Sequence, residues 1–167
     1  MPRYRTDPPI GIAGIGSYTP ERVLSNKDLE TLVDTSDDWI VERTGIKTRR
    51  IAEKDTTTSV LATNAAKRAL EDAGVDGEDV DLIVIGTATP DMLFPSTACL
   101  VQENIGAKGA AAFDLAAACS GFIYGLNAAS GMMRNGTHTI ALVIGAEKLS
   151  SIVDYEDRKT CVLFGDA

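Results

Sequence analysis

Cys119 stands where the sequence gives a thiol a reason to react. The run Phe113-Asp-Leu-Ala-Ala-Ala-Cys119-Ser-Gly-Phe-Ile-Tyr124 reads as a short buried strand, a tight turn with the cysteine at its crest, and then a helix. The first turn of a helix presents unpaired N–H groups and the positive end of the peptide dipole. Both favour thiolate, the nucleophilic form of the side chain. The same N–H groups could hold an oxyanion formed when sulfur attacks a carbonyl. Ala116, Ala117, Ala118, Ser120 and Gly121 are small and leave room for a substrate. The contrary reading is that cysteine is commonly an inert, buried small hydrophobe. Cys99, in an apolar helical pattern, and Cys161, in the strand-like run Cys161-Val-Leu-Phe164, fit that description.

The elements needed to position such a crest follow from the pattern. Unbroken apolar runs predict strands at Ile10–Gly16, Asp81–Gly86, about Ala110 to Leu115, and Thr139–Gly145. Between them lie helical segments. Ser25 and Asp28 make a capping start for a helix to about Val33, and Thr35 with Asp38 a cap for the helix carrying Trp39. Leu61, Ala65, Ala69 and Ala73 recur every four residues, so Thr58 to Ala73 is a helix closed by Gly74. Ser96 caps a helix that stops near Gly106, and the helix after Cys119 runs to about Arg134. Apolar strands alternating with helices predict an α/β fold with a mostly parallel sheet covered on both faces. Ligands of such sheets bind beyond the carboxyl ends of the strands, and Cys119 lies just past one.

Composition narrows the function. The 167 residues suffice for one domain, and the net charge of −8 argues against nucleic acid as a partner. No apolar run is long enough to span a membrane, and the opening Met1-Pro-Arg-Tyr-Arg-Thr-Asp7 is not followed by a signal-type apolar stretch. Three scattered cysteines form no disulfide framework and fit a reducing cytoplasm. With one histidine and no paired cysteine spacing, no metal site is expected. Arg43, Lys47, Arg49, Arg50 and Lys54 crowd a stretch whose only acids are Glu42 and Glu53. This is either a solvated charged face or a patch for an anionic partner. His138 is the one histidine, yet it precedes its strand whereas Cys119 follows its own. In a parallel sheet they would sit roughly 20 Å apart, too far for His138 to serve as base.

Ala117-Ala-Cys119-Ser-Gly-Phe122 resembles the nucleophile motif of the β-ketoacyl-acyl carrier protein synthase III family, thiolase-like condensing enzymes that start type II fatty acid synthesis. Gly14-Ile-Gly16-Ser-Tyr-Thr-Pro20 is similar to that family's first strand and turn, and Asp34-Thr-Ser-Asp-Asp-Trp39-Ile-Val-Glu-Arg43-Thr-Gly45-Ile46 to its N-terminal signature. Phe94-Pro-Ser96 and Phe164-Gly-Asp166 also match, in family order along the whole chain.

The resemblance implies a thiolase-like mixed, mostly parallel sheet, the first of two pseudo-repeated halves, with residues 1–167 as the N-terminal half-domain and the C-terminal half absent. It implies that Cys119 carries the acyl group of an acyl-coenzyme A substrate and passes it to malonyl-acyl carrier protein by decarboxylative Claisen condensation. A histidine and an asparagine from the second half would assist decarboxylation, so this chain alone is expected to be inactive in condensation. Trp39 resembles the tryptophan that stacks on adenine, although by sequence alone a lone Trp reads as a helix-packing aromatic. Arg43, Thr35 and Arg158 resemble the family's other nucleotide contacts. Phe94 resembles a loop phenylalanine that crosses a homodimer interface. Leu149, Leu163 and Phe164 fall around the acyl tunnel or the core. No tightly bound cofactor is implied. Two other readings remain: another thiolase-fold synthase, of hydroxymethylglutaryl-coenzyme A or polyketide type, and a non-catalytic half-domain acting in binding or dimerisation.

Overall fold

The computed structural model describes residues 9–167; the opening segment Met1–Asp7 lies outside them. The central sheet is parallel, with strand order β4-β3-β5, where β3 is Leu82–Gly86, β4 is Ala111–Leu115 and β5 is Ala141–Gly145. All five residues of β3 are buried, as befits a strand covered on both faces. Its side chains alternate between two apolar layers. Ile83 and Ile85 join Ala62, Ala66, Ala98 and Val101 from α3 (Thr58–Ala73) and α4 (Thr97–Ile105). Leu82 and Val84 pack with Ala129 and Met132 of α5 (Gly121–Arg134) on the other face. A separate two-stranded antiparallel ribbon pairs β1 (Val23–Ser25) with β2 (Thr48–Arg50), and around it lie α1 (Asn26–Leu29) and α2 (Asp37–Thr44).

The α/β class, the parallel sheet and the long helices match the sequence reading, and α3 has the predicted bounds. Four local expectations are corrected. Ile10–Gly16 is not a strand: it has no ladder partner among the described residues, and Ile12 and Ile15 face solvent. It lies instead on α3, where a methyl on Gly14 or Gly16 would strike the backbone at Ala73 or Ala69. The stripe Ala65, Ala69, Ala73 receives that segment, and the neighbouring stripe Ala62, Ala66, Leu70 faces the core. The helix after Ser25 keeps its capping box but has only four α-helical residues; Leu32 and Val33 close it as turns onto Leu29. The cap of α2 is Ser36, which accepts from the Trp39 N–H, and not Thr35. Cys161–Leu163 forms turns rather than a strand, because the Cys161 N–H bonds locally to Asp157.

Candidate active site and nucleotide cleft

Cys119 is placed by backbone contact. β4 ends at Leu115, whose carbonyl accepts from Thr87 of the adjacent strand end. The chain then turns through Ala118 at φ 45°, a left-handed conformation that costs a non-glycine residue ~1 kcal/mol. A 3₁₀ turn, Ala118–Ser120, leads directly into α5. What holds that strained turn is the crossing of α5 over β3. A Cβ on Gly86 would lie 2.6 Å from the carbonyl carbon of Gly121, so two glycines meet backbone to backbone. Strain of this kind persists where surrounding structure over-determines it, and it clusters at functional positions.

The result is an exposed Cys119 at the carboxyl end of the parallel sheet. The N-terminus of α5 has no side-chain cap; the Ser120 and Gly121 N–H groups close the 3₁₀ turn onto the Ala117 and Ala118 carbonyls, and the positive end of the helix dipole lies behind the cysteine. Cys161 is fully buried, and burial pushes its thiol up from the usual range; Cys99 is partly buried within α4 and accepts from the Ser96 hydroxyl. The distinction between one presented thiol and two structural ones is therefore visible in the fold. His138 sits before β5, beside Thr137, and the parallel register places the starts of β4 and β5 level with each other. It is at the opposite end of the sheet from Cys119.

A second site is built from side chains. The Trp39 ring carries two guanidinium groups, those of Arg43 and Arg158, each 4.6 Å from its centroid. Arg43 comes from the same helix. Arg158 comes from the loop after β5, and its one ion-pair partner among the described residues is the exposed Asp34, at 3.8 Å. The hydroxyl of Thr35 is buried without a hydrogen-bond partner, an unmet polar group beside this cleft. The underside of Trp39 packs on Leu24, Leu29, Ile40, Cys161 and Val162. Trp39 is thus both a packing residue and the partner of two cations, and the structure brings Trp39, Arg43 and Arg158 to one place, with Thr35 next to the start of α2.

Of the basic stretch, Arg43, Lys47, Arg50 and Lys54 are exposed, and one member leaves the surface. Arg49 turns inward and is 5% exposed, and Arg50 donates to the carbonyls of Pro20 and Glu21. Alternation along β2 sends neighbouring side chains to opposite faces, which is why Arg49 alone of the five points inward.

Phe94 and Leu93 project from the loop between β3 and α4, 87% and 100% exposed. The base of that loop is firmly tied. Ala88 and Thr89 donate to the Glu147 carboxylate, and Asp91 accepts from the backbone and hydroxyl of Ser59. Leu149 is half-buried, Leu163 and Phe164 are exposed, and none of the three belongs to a core cluster. Sequence reading passed over Glu147 and Asn26, and gave no buried role to Arg49 or Asp166. Asp166 is buried and accepts from Ala52 and Ser150, tying the end of the chain to two loops. For Glu147 and Asp166 the available signal was an acid close behind an apolar run; the polar surroundings of Asn26 and Arg49 carried none. Among the described residues no group of side chains is arranged to hold a metal, and no helix is long and apolar enough to cross a membrane.

Residues 113–167 match the family model for 3-oxoacyl-[acyl-carrier-protein] synthase III. The β-ketoacyl-[acyl-carrier-protein] synthase III of Caldanaerobacter subterraneus is 61% identical over 93% of this chain and 47% of its own length. The crystal structure of 3-oxoacyl-[acyl-carrier-protein] synthase III from Aquifex aeolicus superposes with a TM-score of 0.90 at 58% identity, over 93% of this chain and 50% of that one. The priming β-ketosynthase of a polyketide biosynthetic pathway superposes equally well, TM-score 0.90 at 41% identity, over 93% of this chain and 46% of that one. The chain spans about half the length of the curated relatives it matches. By sequence along nearly its whole length and by its thiolase-like α/β fold, this chain belongs to the β-ketoacyl-[acyl-carrier-protein] synthase III family.

Proposed function

We propose that this chain supplies the nucleophile and the nucleotide cleft of a condensing enzyme that starts fatty acid synthesis. The Cys119 thiolate attacks the carbonyl of an acyl-coenzyme A. A carbon–sulfur bond forms to Cys119, the oxyanion lies at the positive end of the α5 dipole, and coenzyme A leaves as its thiolate. Decarboxylation of the malonyl group on acyl carrier protein then yields a carbanion that attacks the acyl-cysteine. The new carbon–carbon bond expels the Cys119 thiolate and leaves a β-ketoacyl-acyl carrier protein. The observation that carries this reading is an exposed cysteine on a strained turn before an uncapped helix, at the ligand-binding end of a parallel sheet.

Adenine enters beside Trp39 as Arg158 swings aside to cover its other face. Arg43 and Arg158, planar and permanently charged, suit the phosphates, and the free Thr35 hydroxyl gains a partner. No metal or tightly bound cofactor takes part. Phe94, held out by a rigid loop base, packs against a second copy of the chain in a homodimer, since a Leu93-Phe94 tip left in water is costly. Leu149, Leu163 and Phe164 line the acyl side. The histidine and asparagine for decarboxylation come from a second half-domain, for which His138 cannot substitute, and the enzyme works in the cytoplasm. The match to a polyketide priming synthase favours one further reading, in which the same cysteine takes a different starter acyl group.

The test is intact mass spectrometry after incubation with acetyl-coenzyme A, beside a Cys119→Ser control. A gain of one acetyl group that is lost in the control is expected when the second half is supplied. Condensation turnover by the 167-residue chain alone would refute the division of labour between halves.

A further inference from the structure

Arg49 is a buried cation with no carboxylate within ion-pair distance among the described residues. Its guanidinium donates through one terminal nitrogen to the Val162 carbonyl at 2.7 Å and through the other to the Asn26 side-chain oxygen at 2.7 Å. Its Nε has no partner. A buried charge held by neutral acceptors, with one donor unmet, is a poor source of stability, and an apolar side chain would cost less. Its value has to be geometric.

The partners say what is being positioned. Val162 follows Arg158 in the loop that forms one wall of the Trp39 cleft. Asn26, 1% exposed, passes the contact on: its amide donates to the Asp37 carboxylate at 2.7 Å and to the Ile46 carbonyl at 2.8 Å. Asp37 opens α2, the helix that carries Trp39 and Arg43, and Ile46 follows that helix's end. One guanidinium thus links the loop of Arg158 to both ends of the helix of Trp39. The planar fork of arginine sets two donors at a fixed angle, which lysine cannot do.

We propose that Arg49, acting through Asn26 and Asp37, is the positioning residue of the nucleotide cleft, fixing the Arg158 wall against the Trp39 wall so that coenzyme A finds the cleft pre-formed. This rests on the nucleotide reading of that cleft. Arg49 touches no substrate. Its effect is on affinity for the adenosine end of the ligand, because pre-organised walls spare the binding event the cost of ordering them.

Trp39 is the only tryptophan in the chain, so intrinsic fluorescence reports on this cleft alone. The experiment titrates the protein with coenzyme A and with adenosine 3′,5′-bisphosphate, in the parent and in Arg49→Lys, Asp37→Ala and Asp37→Asn. Both ligands should bind about tenfold more weakly to Arg49→Lys and Asp37→Ala, and Asp37→Asn, which keeps the acceptor oxygen, should bind like the parent. Electrostatics alone predicts the reverse for Asp37→Ala, since deleting an acid favours an anionic ligand. Labelling of the buried Cys161 by a thiol reagent, in ligand-free samples, separates positioning from unfolding: Cys161 should stay protected in Asp37→Ala. Should Arg49→Lys fail to fold, the Asp37 pair decides. Parental affinity in Asp37→Ala, or affinity lost only in step with Cys161 protection, overturns the role of Arg49. Absence of any response to coenzyme A in the parent instead overturns the nucleotide reading, and this inference with it.

Discussion

The Cys119 turn and the Trp39 cleft solve the problem of positioning in opposite ways. The turn is made of backbone: a positive φ at Ala118, a helix that begins two residues after the cysteine, and the contact of Gly86 with Gly121. Nothing beyond two glycines and a strand end is needed. The cleft is made of side chains from α2 and from the loop after β5, more than a hundred residues apart in sequence, joined by a buried arginine. A nucleophile must point along one line, which a rigid turn secures. Under the proposed function a nucleotide must be admitted and then enclosed, which calls for a fixed backbone frame with one mobile side chain, and the Arg158 side chain is held by a single exposed acid partner among the described residues.

Breaking the turn should have the largest effect. Gly86→Ala drives a methyl into the Gly121 backbone, with no flexible side chain to yield. It should cost about 3 kcal/mol of stability in denaturant unfolding and abolish acetylation of Cys119 in the mass assay. Breaking the cleft should be milder and selective. Trp39→Ala removes one stacking face, worth ~1–3 kcal/mol per base, and should weaken coenzyme A binding in calorimetry while Cys119 still reacts with a small alkylating reagent. Arg158→Ala should weaken binding less, and its effect should shrink as salt is raised, because an exposed cation is screened. The smallest change sharpens the contrast from the far end of the sheet. His138→Ala should leave stability within about 0.5 kcal/mol and acetylation unaltered; a lost acetyl-enzyme there would place His138 in the chemistry after all.

The asymmetry between the two sites is also an asymmetry in legibility. The strand, turn and helix around Cys119 are contiguous, so apolar pattern and small residues sufficed to find them. The same holds for α3 and for the strands β3, β4 and β5. The cleft was reached in sequence only by resemblance, because no local rule relates Trp39 to Arg158. Where local pattern misled, the cause was a missing or unexpected partner. Ile10–Gly16 has strand composition but no ladder neighbour among the described residues, and it spends its glycines on α3 instead. The basic stretch Arg43–Lys54 lost Arg49 from its surface because strand alternation turned that residue into the interior.

The sequence by itself determined the α/β class, the helix bounded by Thr58 and Ala73, the turn that carries Cys119, and the exclusion of His138 as its base. These depend on periodicity, on capping and on which end of a strand a residue follows, all of which are local. Only the tertiary structure decided that the Trp39 ring meets two arginines, that Arg49 is a buried link and not a surface charge, and that Leu93 and Phe94 project from a loop anchored by Glu147 and Asp91. Those facts depend on which distant segments meet, and burial changes what a charged or aromatic side chain can do once they have met.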